Sequence, residues 1–172
     1  MELRRIELEE IKDLQSICKE VYSINFGDHW EPGGLELYLE EQFGDERMKK
    51  DLANDQILYY LMKEGEAAIG FVKVNLDAEL EGFSEIDCCE LEKIYLLPNQ
   101  KGKGLGRKAI NAVMDRLKAK GKKLLFLCVI DSNQAAMKFY EALGFEYHSR
   151  IRLEAPFFKE ELRGMHRMLI YI

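Results

Sequence analysis

Residues 90–130 constrain the fold more than any other stretch of this chain. Positions 90–97 read as a strand that Pro98 must end, because proline donates nothing to a ladder and Pro–Asn favours a turn. Positions 105–120 then place Leu105, Ala109, Ala112, Val113 and Leu117 on one helical face, and Gly121 is suited to close the helix. Leu124 to Ile130 is an unbroken apolar run, as expected of a strand buried on both faces. Strand, helix and strand in that order predict a parallel pair with a right-handed crossover.

The remaining elements can be read around this unit. Residues 3–8 are expected to form a first strand. Helix 9–24 follows, with its stripe of Ile11, Leu14, Ile17, Cys18 and Val21. After a loop at 25–34 come helices 35–43 and 45–53. A hairpin of strands 57–63 and 67–76 turns at Glu64–Gly65. Ser132 is suited to cap helix 133–143, which Gly144 stops. Strands 145–153 and 166–172 complete an α/β chain. With no repeat, low-complexity tract or linker, residues 1–172 are expected to form a single domain.

Composition removes several alternatives. An apolar share of 47% with only 3 prolines excludes collagen-like and wholly disordered chains. The longest apolar run, Leu124 to Ile130, is far short of the roughly 20 residues that cross a membrane. The charged amino terminus does not resemble a signal peptide, so a cytoplasmic protein is expected. Cys18, Cys88, Cys89 and Cys128 form no C-x-x-C pair and have no zinc-finger spacing to a histidine. No metal is expected, and the cysteines read as reduced, apolar side chains.

Charge is distributed unevenly. Residues 1–100 carry 24 acids and 10 bases, whereas residues 101–123 carry nine bases and one acid. A local cationic patch in an acidic protein suits a small polyanion better than a nucleic-acid duplex, which needs a broad basic face. A solvated helix face would explain the charge alone. The patch, however, contains Gly102, Gly104 and Gly106 at a strand-to-helix turn. Missing side chains there let backbone N–H groups approach and cradle phosphate. Neither the Walker A string nor the dinucleotide G-x-G-x-x-G fits this loop.

The segment "LEKIYLLPNQKGKGLGRKAI" resembles motif A of the GCN5-related N-acetyltransferases, [RQ]-x-x-G-x-[GA] after a strand and opening a helix. Lys101, Gly104 and Gly106 fall on its defining positions, with lysine replacing the usual Arg or Gln. Downstream, "NQAAMKFYEALGF" resembles N-x-x-A-x-x-[FL]-Y-x-x-x-G-F, matching Asn133, Ala136, Phe139, Tyr140, Gly144 and Phe145. The resemblance implies a seven-stranded, mostly antiparallel mixed sheet flanked by helices. Its central parallel pair splays to hold acetyl-CoA as co-substrate.

It further implies that the pantetheine arm pairs with Ile94, Tyr95 and Leu96. The pyrophosphate then sits on Lys101, Gly102, Lys103, Gly104, Leu105, Gly106 and Arg107, and Asn133 contributes a hydrogen bond. By the same resemblance Tyr140 protonates the departing thiolate, a role that a phenol can fill chemically; a core tyrosine is the bland alternative. The attacking amine must lose a proton, so a base is useful. Glu92 is the candidate, with Glu90 one pleat away, and either residue could instead be a structural ion-pair partner.

For the acceptor, the first loop offers Asp28, His29, Trp30 and Glu31, and the next helix Glu36, Glu40 and Glu41. The loop before the central strand adds Asp77, Glu79, Glu81, Glu85 and Asp87. Acids beside Tyr22, Phe26, Trp30 and Tyr38 suit a flexible polycation, with Trp30, Glu31 and Glu92 as substrate contacts. Whole-chain likeness is greatest to the bacterial Pai-type spermidine/spermine N-acetyltransferases. The resemblance therefore implies a small-molecule polyamine substrate, with neither nucleic acid nor membrane as partner and self-association into a homodimer left open. Acetylation of a protein amine, or acetyl-CoA binding without turnover, are the alternatives.

Overall fold

The computed structural model describes residues 1–83 and 86–172. Seven strands form one sheet: β1 (Glu2–Arg5), β2 (Ile57–Glu64), β3 (Ala67–Asn75), β4 (Cys88–Leu96), β5 (Leu124–Ile130), β6 (Glu146–Arg152) and β7 (Gly164–Tyr171). Their order is β1-β2-β3-β4-β5-β7-β6, and β4–β5 is the parallel pair in an otherwise antiparallel sheet. This is the expected seven-stranded architecture.

The β4–β5 pairing is short. It runs Cys88–Leu124, Cys89–Leu125 and Glu90–Phe126. Beyond that no ladder joins the two strands, although β4 continues to Leu96 and β5 to Ile130. Each strand keeps its other neighbour: β4 pairs with β3 out to Leu96, and β5 pairs with β7 over its whole length. The sheet therefore opens as a V at its centre. On the β3 side, Lys73 faces Lys93 while Val74 faces Leu91, so Glu92 is the extra residue of a β-bulge.

Helices α1 (Ile11–Phe26), α2 (Gly34–Phe43) and α3 (Asp45–Leu52) cover one face. The α1 stripe of Leu14, Ile17, Cys18 and Val21 is buried against Tyr59, Leu61 and Phe71. Helices α4 (Leu105–Ala119) and α5 (Gln134–Glu141) cover the other face, where Ile110, Val113 and Leu117 meet Val72, Leu125 and Leu127. Both helices end as their glycines require. Gly121 and Gly144 have φ of 82° and 96°. The N–H of the residue after each glycine returns to Leu117 and Tyr140, at 3.1 and 3.0 Å.

Some boundaries differ from the sequence reading. β1 ends at Arg5, because Leu8 is half exposed and opens a 3-10 turn instead of extending the edge strand. Asn133, not Ser132, caps α5, its Oδ1 accepting the Ala136 N–H at 3.1 Å. The four cysteines are free. Among the described residues no helix is long and apolar enough to cross a membrane.

Candidate active site

A cavity of about 1060 Å³ fills the V, bounded by β4, β5, the glycine loop, α5 and the end of α1. The β3–β4 register fixes which backbone groups face it. Leu97 N–H donates to Ile69 at 2.9 Å, and Phe71 faces Tyr95. In an antiparallel ladder hydrogen-bonded pairs alternate, so the backbone of Tyr95 is used toward β3. Those of Ile94 and Leu96 turn toward the gap. Of the three residues expected to pair with an extended ligand, two therefore present backbone groups and Tyr95 presents its ring.

The glycine loop is built for backbone donation. Gly102 and Gly104 have φ of 78° and 74°, a region that strains any L side chain. Gly104 is the N-cap of α4 and has no side chain to satisfy the first amides of the helix. Lys108 is the first N–H returned to the helix, to Gly104 at 3.1 Å. The amides before it and the helix dipole make an anion site. Gly106 serves packing, since a Cβ there would lie 3.3 Å from Phe139 of α5.

The cations of the loop are less available than their number suggests. Lys101 donates to Asn25 Oδ1. Lys103 donates to Gln100 at 2.8 Å and does not line the cavity. Arg107 donates to the Ala142 carbonyl through both terminal nitrogens, at 3.2 Å. Asn25, which the sequence reading missed, links α1 to β4 by donating to Leu96 O at 3.1 Å. It thereby ties the far end of the V to the glycine loop.

The carboxylates on β4 separate into two kinds. Glu92 bonds Lys73 at 2.9 Å and also pairs with Lys93. Lys73 is 1% exposed and reaches Asp51 at 2.8 Å, and Asp51 also accepts from Tyr59 and Arg47. Burial would raise the Glu92 pKa, but the two ammonium groups outweigh it and hold the carboxyl at about 2. So weak a base is poorly suited to take a proton from an amine. Glu90 also lines the cavity, and burial followed by the nearby Glu92 charge pushes its pKa above the usual carboxylate range. Glu90 and Glu92 thus both line the cavity, with opposite displacements of their proton affinity.

Tyr140 lines the cavity from α5, and its hydroxyl has no hydrogen-bond partner among the described residues. Burial pushes the phenol up to about 12, so it is protonated across the working range. Asn133 lines the same wall. Its carbonyl oxygen caps α5, which leaves the side-chain amide nitrogen as the group able to face a ligand.

The acceptor end is aromatic. Tyr22 stacks on Phe26 and Tyr38, with centroids 4.9 and 4.5 Å apart, and Trp30 lies 4.8 Å from Tyr38. Of the two loop residues expected to contact substrate, Trp30 lines this cavity and Glu31 does not. Its amide bonds Phe157 O at 2.8 Å, and its side chain is absent from the cavity wall. Nor do Asp28, Glu36, Glu40, Asp77, Glu79, Glu81 or Asp87 line the wall; Glu85 lies outside the described residues. Phe158, from the β6–β7 loop, closes this end by packing edge-on against Trp30 at 5.0 Å.

A splayed parallel pair with a glycine loop suited to an anion at one mouth and an aromatic pocket at the other is an arrangement suited to a two-substrate group-transfer enzyme. The chain belongs to the acetyltransferase (GNAT) family, whose model matches residues 11–145. The family's co-substrate is acetyl-CoA, and the chain is an N-acetyltransferase of this type. An uncharacterized N-acetyltransferase encoded in the pepI 3' region of Lactobacillus delbrueckii subsp. lactis is 23% identical over 81% of either chain. A spermidine N(1)-acetyltransferase of Thermoplasma acidophilum is 21% identical, over 85% of this chain and 88% of that one. Among solved structures, PaiA N-acetyltransferase from T. acidophilum in complex with coenzyme A superposes with a TM-score of 0.77 at 19% identity. It covers 99% of this chain and 98% of its own. That likeness concerns the fold.

Proposed function

We propose that residues 1–172 act as one domain that transfers the acetyl group of acetyl-CoA to a primary amine of a polyamine such as spermidine or spermine. Transfer is by direct attack in a ternary complex. The observation that carries this reading is the single cavity joining the glycine cradle, the gap-facing amides of Ile94 and Leu96, Tyr140 and Glu90. The resemblance of the chain to a spermidine acetyltransferase supports the choice of amine.

The chemistry divides among these residues. Glu90, made more basic by burial, accepts a proton from the incoming ammonium, directly or through water. The neutral amine attacks the thioester carbon, forming the C–N bond. The Leu96 N–H faces the space where charge develops on the thioester oxygen. As the C–S bond breaks, Tyr140 donates its proton to the thiolate, the nitrogen sheds its second proton to the phenolate on becoming an amide, and Glu90 returns the first proton to solvent. The burial that raises the phenol also raises the proton affinity of a thiolate beside it, so the transfer is closer to balanced than solution pKa values imply.

Comparing Glu90→Gln with Glu92→Gln tests the assignment. With spermidine and acetyl-CoA, Glu90→Gln is expected to lower kcat/KM about 10²-fold and to remove the acid limb of its pH profile. The sign follows from the role: a base works when ionised, so activity is lost as pH falls through the raised Glu90 pKa. Glu92 is ionised down to about pH 2 and contributes no limb near neutrality. An unchanged acid limb in Glu90→Gln removes Glu90 as base. Thiol release with peptide amines but no polyamine would favour a protein acetyltransferase, and donor binding without release for any amine would favour a sensor.

A further inference from the structure

Inside the reaction cavity the acceptor's charge finds little net attraction. Glu92 is neutralised by Lys73 and Lys93, and Lys101 and Arg107 line the donor side. Glu90 alone is left to face the reacting nitrogen. A polyamine's distant ammonium groups must therefore find their partners elsewhere.

A second cavity, of about 610 Å³, adjoins the first. Trp30, Tyr38 and Leu153 line both and form the wall between them. Its sides are α2 and the β6–β7 loop, which are fastened together at one end. Trp30 bridges Phe158, Lys159 N–H reaches His29 O at 2.9 Å, and a Cβ on Gly34 would lie 2.4 Å from that of Phe157. Phe157 is the one non-glycine with positive φ among the described residues, at 62°, a conformation that costs free energy to hold. Phe157 is 49% exposed and Leu37 59%, and both line this cavity. The two carboxylates on the wall are Glu41 and Glu154, each loosely held, by Gln42 at 3.5 Å and Arg152 at 3.8 Å.

We infer that this second cavity receives the far end of the acceptor and selects for acceptor length. The aliphatic chain lies between Leu37 and Phe157, and the distal ammonium lies at Glu41 and Glu154. The inference rests on the amine-acetylation reading above and assigns Leu37, Glu41, Glu154 and Phe157 as specificity determinants. The chain crosses over the shared wall of Trp30, Tyr38 and Leu153, where a ring face attracts an internal ammonium.

The test compares n-butylamine with spermidine and spermine at saturating acetyl-CoA. The variants are Leu37→Trp, which fills the mouth from an exposed position, and the double variant Glu41→Gln/Glu154→Gln, with thermal melts confirming folding. Each is expected to lower kcat/KM for both polyamines about tenfold while n-butylamine stays within about twofold. The double variant should also blunt the loss of polyamine activity with added salt, because the screened attraction is gone. Parallel losses for mono- and polyamines, or no loss for polyamines that the unmodified protein prefers, overturn the channel alone. A protein showing no preference for polyamines over n-butylamine overturns the channel and the polyamine reading together.

Discussion

Tyr140→Phe is expected to lower kcat by about 10²-fold or more while acetyl-CoA affinity stays nearly intact. The substitution removes one oxygen and keeps the ring, which packs against Phe139 and Phe145 with centroids 5.2 and 5.7 Å away. The hydroxyl has no protein partner among the described residues, so its loss breaks no internal hydrogen bond. In the proposed mechanism, what disappears is the proton donor to the departing thiolate, an interaction made late in the reaction. Thiol-release kinetics should show the fall, and calorimetric titration of the donor should show little change. A Tyr140→Phe protein with full turnover would return the phenol to the role of a core side chain. The pH dependence carries its own sign: an acid works when protonated, so its limb lies on the alkaline side, near 12.

Lys73→Met is expected to destabilise the fold by about 3 kcal/mol, because buried Asp51 and half-buried Glu92 lose the ammonium they share and keep only Arg47 and Tyr59 on one and Lys93 on the other. For a chain of this size that corresponds to a fall in Tm of roughly 10 °C. The loss should also depend on pH. Glu92 titrates near 2 in the fold against an ordinary 4.5, so it contributes stability above 4.5 that is lost as pH falls toward 2. Without Lys73 its folded pKa rises toward the ordinary value, and that acid-sensitive part of the stability shrinks. A variant whose melting point stays within a degree or two of the parent would show that Lys73, Asp51 and Glu92 do not act as a unit.

The same buried network explains where sequence reading stopped. The parallel β4–α4–β5 unit, the glycine loop and the ends of α4 and α5 were legible because local rules carry them. Gly102, Gly104, Gly121 and Gly144 all adopt the positive φ that marks a turn or helix end. Partners distant in sequence carry no such mark. Nothing near Glu92 in the chain shows that Lys73 reaches it and bridges it to Asp51. A signal did exist: Lys73 interrupts the apolar "GFVKVNLD" strand at a core-facing position, and a buried lysine requires a carboxylate nearby. The acceptor wall was hardest to read. Asn25 and Phe158 reach the cavity from segments about 130 residues apart, and acidic composition alone does not decide which acids face it.

The open V has a consequence for the lifetime of the protein. Ile94 and Leu96 lie on a strand that lacks a neighbour on one side beyond Glu90. An extended ligand laid along them completes the sheet, much as an added strand would. Catalytic co-substrate and structural brace then become the same molecule. A ligand at one hundred times its Kd adds about 2.7 kcal/mol to the folded state by mass action. Without that ligand the end of β4 is held by its β3 ladder and by Asn25, so limited proteolysis there is expected to slow when acetyl-CoA is added. The lifetime of the folded chain would then depend on the concentration of acetyl donor around it, through binding alone.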